Sequence, residues 1–127
     1  MYEISAYSHF DAAHFLRGYP GKCANIHGHR WKVEITLRGE TLNELGILVD
    51  FMDIKELLKE AVNAFDHKMI NEVPPFNEMN PTAENIAGYI FEDMAGRLRD
   101  RVGSQIKITK VTVWESEAAS ATYFSGE

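Results

Sequence analysis

The sequence predicts an α+β domain: a four-stranded antiparallel sheet with two helices on one face, in the order ββααββ. Two segments near the N-terminus and two near the C-terminus alternate apolar and polar side chains with a period of two, which is the strand signature. Two central segments repeat their apolar residues at i, i+3, i+4 and i+7, which is the helix signature. Turn-forming residues gather between these segments and not within them. Strands at both ends with helices between them imply a sheet covered on one side.

The first strand spans about Tyr2 to His14, with Ile4, Ala6, Ser8, Phe10, Ala12 and His14 on one parity. A Gly/Pro-containing loop, Arg17 to Lys22, leads to a second strand, about His27 to Gly39. There Trp31, Val33, Ile35 and Leu37 oppose Lys32, Glu34, Thr36 and Arg38. After a turn near Gly46, the first helix buries Ile54, Leu57, Leu58, Ala61, Val62 and Phe65; Asp50 or Asp53 caps its start, and Asp53 with Glu56 resembles a capping box. Lys68 to Asn80 is irregular. Asn80 then serves as N-cap and Pro81 as first residue of a second helix, whose stripe is Ala83, Ile86, Ala87, Ile90, Met94 and Leu98. The last strands run about Gln105 to Ser116 and Ala121 to Ser125. Ile106 and Ile108 are even while Val111 and Val113 are odd, so a β-bulge is expected near Lys110.

At 127 residues the chain reads as one domain, 1–127. Its 45% hydrophobic and 11% aromatic content is ordinary for a globular protein. A net charge of −6 disfavours nucleic acid and favours a small-molecule substrate. The N-terminus has neither the basic nor the apolar region of a signal peptide, no segment approaches a membrane span, and the single cysteine suits a reducing compartment. A cytoplasmic protein that binds neither membrane nor nucleic acid is expected.

His27 and His29 form a His-x-His pair, and residues two apart on a strand point the same way. Both continue the apolar parity of Trp31. His14 lies on the core parity of the first strand, whereas His9 does not, so His14 is the third candidate ligand. Three neutral imidazoles with an open position suit a catalytic Zn²⁺, and four protein ligands suit a structural one. Cys23 decides between the two. The plain alternative is that these histidines are hydrogen-bonded polar groups at a strand end. A cupin-like site would recruit Glu34, but its parity is opposite to that of His29.

Two further features are out of place for a simple fold. Asp66 and His67 follow the first helix, where an acidic residue opposes the helix dipole; a solvated turn is one reading, and an Asp orienting a His as general base is the other. Glu115 shares the inward parity of Val111 and Val113, and a buried carboxylate requires a partner.

Phe10-Asp-Ala-Ala-His14, Cys23-x-x-x-His27-Gly-His29, Val49-Asp50-Phe51, Phe65-Asp66-His67, Asn80-Pro81-Thr82-Ala-Glu84-Asn85 and Trp114-Glu115 together resemble the 6-pyruvoyltetrahydropterin and 6-carboxytetrahydropterin synthase family, of tunnelling fold (T-fold). The resemblance covers nearly the whole chain, and the three-residue gap between Cys23 and His27 is most similar to the bacterial 6-carboxytetrahydropterin synthases of queuosine (7-deazaguanine) biosynthesis. It implies a lyase acting on 7,8-dihydroneopterin triphosphate, with Zn²⁺ on His14, His27 and His29. Cys23 would be the base, assisted by Asp66 and His67, and Glu115 would anchor the pterin ring, with Thr82 and Glu84 near the pocket. Sheets would join into a barrel, trimers would stack into a hexamer, and the sites would lie at subunit junctions. A pyruvoyl synthase, or a relative that only cleaves the side chain, is the alternative within the family. Outside it stands a non-enzymatic module with a closed Cys-His-His-His zinc site. The substrate's triphosphate sits uneasily with an acidic chain, and Arg17, Lys22 and Arg30 are the candidates for a local positive field.

Overall fold

A computed structural model describes residues 1–126. Its elements are β1 (Tyr2–His14), β2 (His27–Gly39), α1 (Phe51–Asn63), β3 (Lys68–Met69), α2 (Ala83–Val102), β4 (Lys107–Ser116) and β5 (Ala119–Phe124). The sheet order is β3-β1-β2-β4-β5. The four long strands are antiparallel, as their patterning requires. The added fifth strand is the two-residue β3, which runs parallel to Ala12 and Ala13 along the edge of β1. It lies in the segment read as irregular, and two residues are too few to show a period.

Both helices cover one face, α1 over β1 and α2 over β4 and β5. Beneath them Phe10, Trp31, Val33, Ile35 and Leu37 from the sheet meet Ile54, Leu58, Ile86, Ile90 and Met94 from the helices, all buried. Asp50 caps α1, its carboxylate accepting from the Met52 N–H. Thr82, not Asn80, caps α2 by accepting from the Asn85 N–H, so α2 begins at Ala83 and Pro81 stays outside it. Asn80 is already committed, because its side-chain amide pairs with the backbone of Arg17. The bulge falls where the parity switch demands: Thr36 pairs with Lys110 and Leu37 with Ile108, which leaves Thr109 as the extra residue.

The other face of the sheet carries no helix. Tyr7, His9, Lys32 and Trp114 lie there, with the Lys32 ammonium 4.3 Å from the Tyr7 ring centre and 4.6 Å from that of Trp114. The outer edge of β5, and that of β1 from Tyr2 to Asp11, have no strand partner among the described residues.

Candidate metal centre and active site

Strand pairing brings the three candidate imidazoles together. His14 is directly opposite His27, and Ala12 opposite His29, so the last core-side positions of β1 and β2 converge at one end of the sheet. The ring centres of His14 lie 4.5 Å from His27 and 5.4 Å from His29, and those of His27 and His29 are 4.9 Å apart. The fully buried Trp31 forms the floor, its indole edge-on to both His14 and His29. Its N–H donates to the Ala12 carbonyl at 3.2 Å, which leaves the ring fixed and its polar atom satisfied.

Backbone carbonyls set the tautomers. The His14 Nδ1 is 2.8 Å from the Pro81 carbonyl and the His27 Nδ1 is 2.7 Å from the Asn25 carbonyl. A carbonyl only accepts, so Nδ1 carries the proton in each neutral ring and Nε2 presents its lone pair to the centre. This is the arrangement by which outer hydrogen bonds orient metal-binding histidines. Burial pushes the His14 imidazole below its ordinary value, against the opposing pull of the Pro81 carbonyl and Glu115, and favours the neutral form a metal ligand needs.

Glu115 projects from β4 into the same space. Its Oε1 lies 2.7 Å from His29 Nε2, 3.5 Å from His14 Nε2 and 3.8 Å from His27 Nε2. Glu115 is thus within ion-pair distance of His29, and the Nε2 atoms of His14 and His29 are both buried without a hydrogen-bond partner among the described residues. Orphaned buried nitrogens aimed at one point, with a carboxylate beside them, are what a divalent cation would satisfy. The donor set therefore fits a metal. His14, His27, His29 and Glu115 form this group, and Cys23 lies outside it, so the fourth donor of a closed Cys-His-His-His site is not assembled here. Glu34 is outside the group as well.

Cys23 sits half-buried in a single 3-10 turn, Lys22–Ala24, and its carbonyl accepts from the Leu16 N–H at 2.7 Å. Asp66 and His67 form a second group with Asp11 at the edge of β1. Asp66 accepts from the Asp11 N–H at 3.0 Å, and the His67 N–H donates back to the Asp11 carbonyl at 2.6 Å. That grip holds His67 in a left-handed conformation with φ of 59°, which a non-glycine residue adopts at a cost of about 1 kcal/mol or more. The Asp11 N–H holds the Asp66 carboxyl below the usual carboxylate range, with His67 adding to the effect. The His67 Nδ1 is 3.0 Å from Asp66, and its side chain is 78% exposed. The pair read from sequence as an oriented histidine is thus real, but within this chain it stands apart from the imidazole centre.

Thr82 and Glu84 lie at the start of α2, next to the Pro81 carbonyl that holds His14. The Thr82 hydroxyl serves as the helix cap, and Glu84 is an exposed residue of the first turn. The basic residues proposed to meet a triphosphate divide differently than expected. Arg17 donates to the carbonyls of Met79, Asn71 and Phe76, and Arg30 is on the helix-free face, opposite in parity to His29. Lys22 is exposed beside Cys23. Sequence reasoning did not find Asn71, Asn80 or Arg17 as a unit, because their partners are backbone atoms 54 to 63 residues away and leave no local pattern.

The fold and this donor set define a T-fold protein with a three-imidazole centre able to hold a metal ion. The chain belongs to the 6-pyruvoyl tetrahydropterin synthase family, whose model matches residues 3–126. Among relatives, a protein of Archaeoglobus fulgidus provisionally assigned as 6-carboxy-5,6,7,8-tetrahydropterin synthase is 36% identical over 108 residues, covering 85% of this chain and 83% of the relative. The 6-carboxy-5,6,7,8-tetrahydropterin synthase of Bacillus subtilis is 30% identical over 127 residues, covering 96% and 84%. The structure of Caenorhabditis elegans 6-pyruvoyl tetrahydropterin synthase superposes with a TM-score of 0.83 at 26% identity, over 98% of this chain and 96% of that one. Membership makes this a pterin-processing enzyme family. No described helix is long and apolar enough to cross a membrane.

Proposed function

We propose that the chain is a zinc-dependent lyase that converts 7,8-dihydroneopterin triphosphate and water to 6-carboxy-5,6,7,8-tetrahydropterin, acetaldehyde and triphosphate, in queuosine and 7-deazapurine biosynthesis. The observation that carries the reading is the convergence of three imidazole Nε2 atoms on a point flanked by the Glu115 carboxylate. His14, His27 and His29 would hold the ion, which when bound supplies Lewis-acid polarisation of oxygens on the substrate's side chain. Glu115, sharing the space with the imidazoles, accepts from the pterin's 2-amino and ring N–H groups and sets the side chain over the centre. Cys23 acts as general base and takes a proton from the side-chain carbon. His67, oriented by Asp66, moves the second proton. Thr82 and Glu84 border the pocket from the start of α2. The product assignment follows the names of the relatives above and the short Cys23-to-His27 spacing. Incubating the pure zinc-loaded protein with 7,8-dihydroneopterin triphosphate and weighing the products tests it: 6-carboxytetrahydropterin with acetaldehyde supports the reading, a pyruvoyl product supports the family alternative, and no consumption of a pterin refutes both.

Replacing Glu115 by Gln keeps the shape but removes the double acceptor. The expected result is a loss of pterin affinity of roughly tenfold or more, as for a charged hydrogen bond, with little change in thermal midpoint. Titration with a pterin analogue checks it, and unchanged affinity would contradict the role.

The edges of β5 and of β1 from Tyr2 to Asp11, without a strand partner among the described residues, suit closure of three sheets into a barrel, with two such trimers forming a hexamer. In that assembly Asp66 and His67, at the edge of one sheet, serve the Cys23 of a neighbour. Mixing inactive Cys23→Ala and His67→Ala subunits should then restore part of the activity through sites that draw one good residue from each chain. No recovery after verified subunit exchange would place the whole site within one chain.

A further inference from the structure

Residues 15–17 follow β1 directly, and hydrogen bonds from two different parts of the chain grip them. Two asparagine side chains imitate a neighbouring strand. Asn71 accepts from the Phe15 N–H at 2.9 Å and donates to the Phe15 carbonyl at 3.0 Å. Asn80 does the same for Arg17, at 2.8 and 3.0 Å. The Arg17 guanidinium ties the two together by donating to the carbonyls of Asn71, Phe76 and Met79 at 3.3, 2.9 and 3.2 Å. Asn80 is itself anchored to α2, its carbonyl accepting from the Asn85 side chain at 2.9 Å. The Leu16 N–H donates to the Cys23 carbonyl at 2.7 Å. Leu16 lies between the two gripped residues, so fixing the backbones of Phe15 and Arg17 also fixes the Leu16 N–H that meets Cys23.

We propose that Asn71, Asn80 and Arg17 form a clamp that fixes the Cys23 turn relative to the imidazole centre, and act as positioning residues for the reaction. The kinetic part of this rests on Cys23 being the base. Among the described residues, hydrogen bonds tie the turn to the chain on either side of it, from Leu16 to Cys23 and from the His27 imidazole to Asn25. One is set by the clamp and the other by a metal ligand. A 3-10 turn of three residues without a side-chain cap has little rigidity of its own, so these tethers define where the thiol stands. Three of the five N–H donors of the Arg17 guanidinium are engaged by these carbonyls, which makes it part of the clamp. Asn71 is buried, and its amide both accepts from and donates to the Phe15 backbone, a paired contact that specifies one geometry.

The test is the alkylation rate of Cys23, the chain's single cysteine, in the zinc-loaded full-length protein, alongside steady-state kinetics. Asn80→Ala removes two hydrogen bonds from the Arg17 backbone and should raise the iodoacetamide rate roughly ten- to a hundredfold, by loosening the turn. It should also lower kcat by at least about tenfold with KM changed less than threefold and one metal per chain retained. Arg17→Met, at an exposed position, should move both readouts in the same direction if Asn80→Ala folds poorly. Asn43→Ala is the control, since Asn43 holds the distant turn at Leu45 and Ile47 through comparable hydrogen bonds. It should leave the alkylation rate unchanged. Wild-type alkylation rates in both Asn80→Ala and Arg17→Met would overturn the clamp, and so would a fall in kcat without a change in alkylation. Retained turnover in Cys23→Ala would remove the assignment of the base alone, because the clamp is still judged by the alkylation rate.

Discussion

His29→Ala is expected to lose metal and turnover together. The His29 Nε2 is one of two buried imidazole nitrogens without a hydrogen-bond partner among the described residues, and it faces the point where the other two imidazoles and Glu115 meet. Removing an outer-shell partner of a metal ligand already costs 10- to 100-fold in affinity, and loss of one of three imidazoles should exceed about 100-fold. His9→Ala is the matched control: His9 lies on the opposite parity, makes an edge contact with Tyr7 at 5.5 Å, and should keep both metal and activity. Elemental analysis after dialysis against a chelator reads the result directly. One zinc per chain in His29→Ala would sink the three-imidazole centre.

Cys23→Ala should behave in the opposite way, keeping its metal while losing turnover. Removal of a positioned general base typically lowers the rate by roughly 10²- to 10⁴-fold. The group proposed to hold the metal is three imidazoles with Glu115 alongside, and the cysteine is outside it, so zinc content and pterin affinity should stay within about twofold of wild type. A Cys23→Ala protein that loses zinc would make the thiol a ligand, and one with near-normal turnover would make it neither.

The long strands were legible in the sequence because period two survives wherever one face is buried, and β1 and β2 begin and end at the expected residues. The same arithmetic placed His14, His27 and His29 on one face and turned Glu115 inward, through a parity switch that the bulge at Thr109 now explains. What escaped was structure made by backbone atoms. Asn80, Pro81 and Thr82 are three adjacent residues with helix-start chemistry, and local preference could not show that Asn80 was claimed by Arg17, which left the cap to Thr82. Nor could it show that the Pro81 carbonyl holds His14. The three carbonyls that Arg17 meets were equally invisible, because a charge in sequence carries no record of distant backbone partners.

The bulge at Thr109 also separates two regimes of chain length. Ahead of it, strand β4 keeps Ile108 on the core side; behind it, Val111, Val113 and Glu115 keep the same side in a different count. Deleting the extra residue restores plain alternation and leaves Glu115 facing the imidazoles, whereas one residue added between Lys110 and Glu115 reverses every side chain beyond it. The strand therefore works as a slip joint: length variation in the turn after α2 can be absorbed before Lys110, while the five positions from Val111 to Glu115 form a ruler whose phase the carboxylate cannot leave.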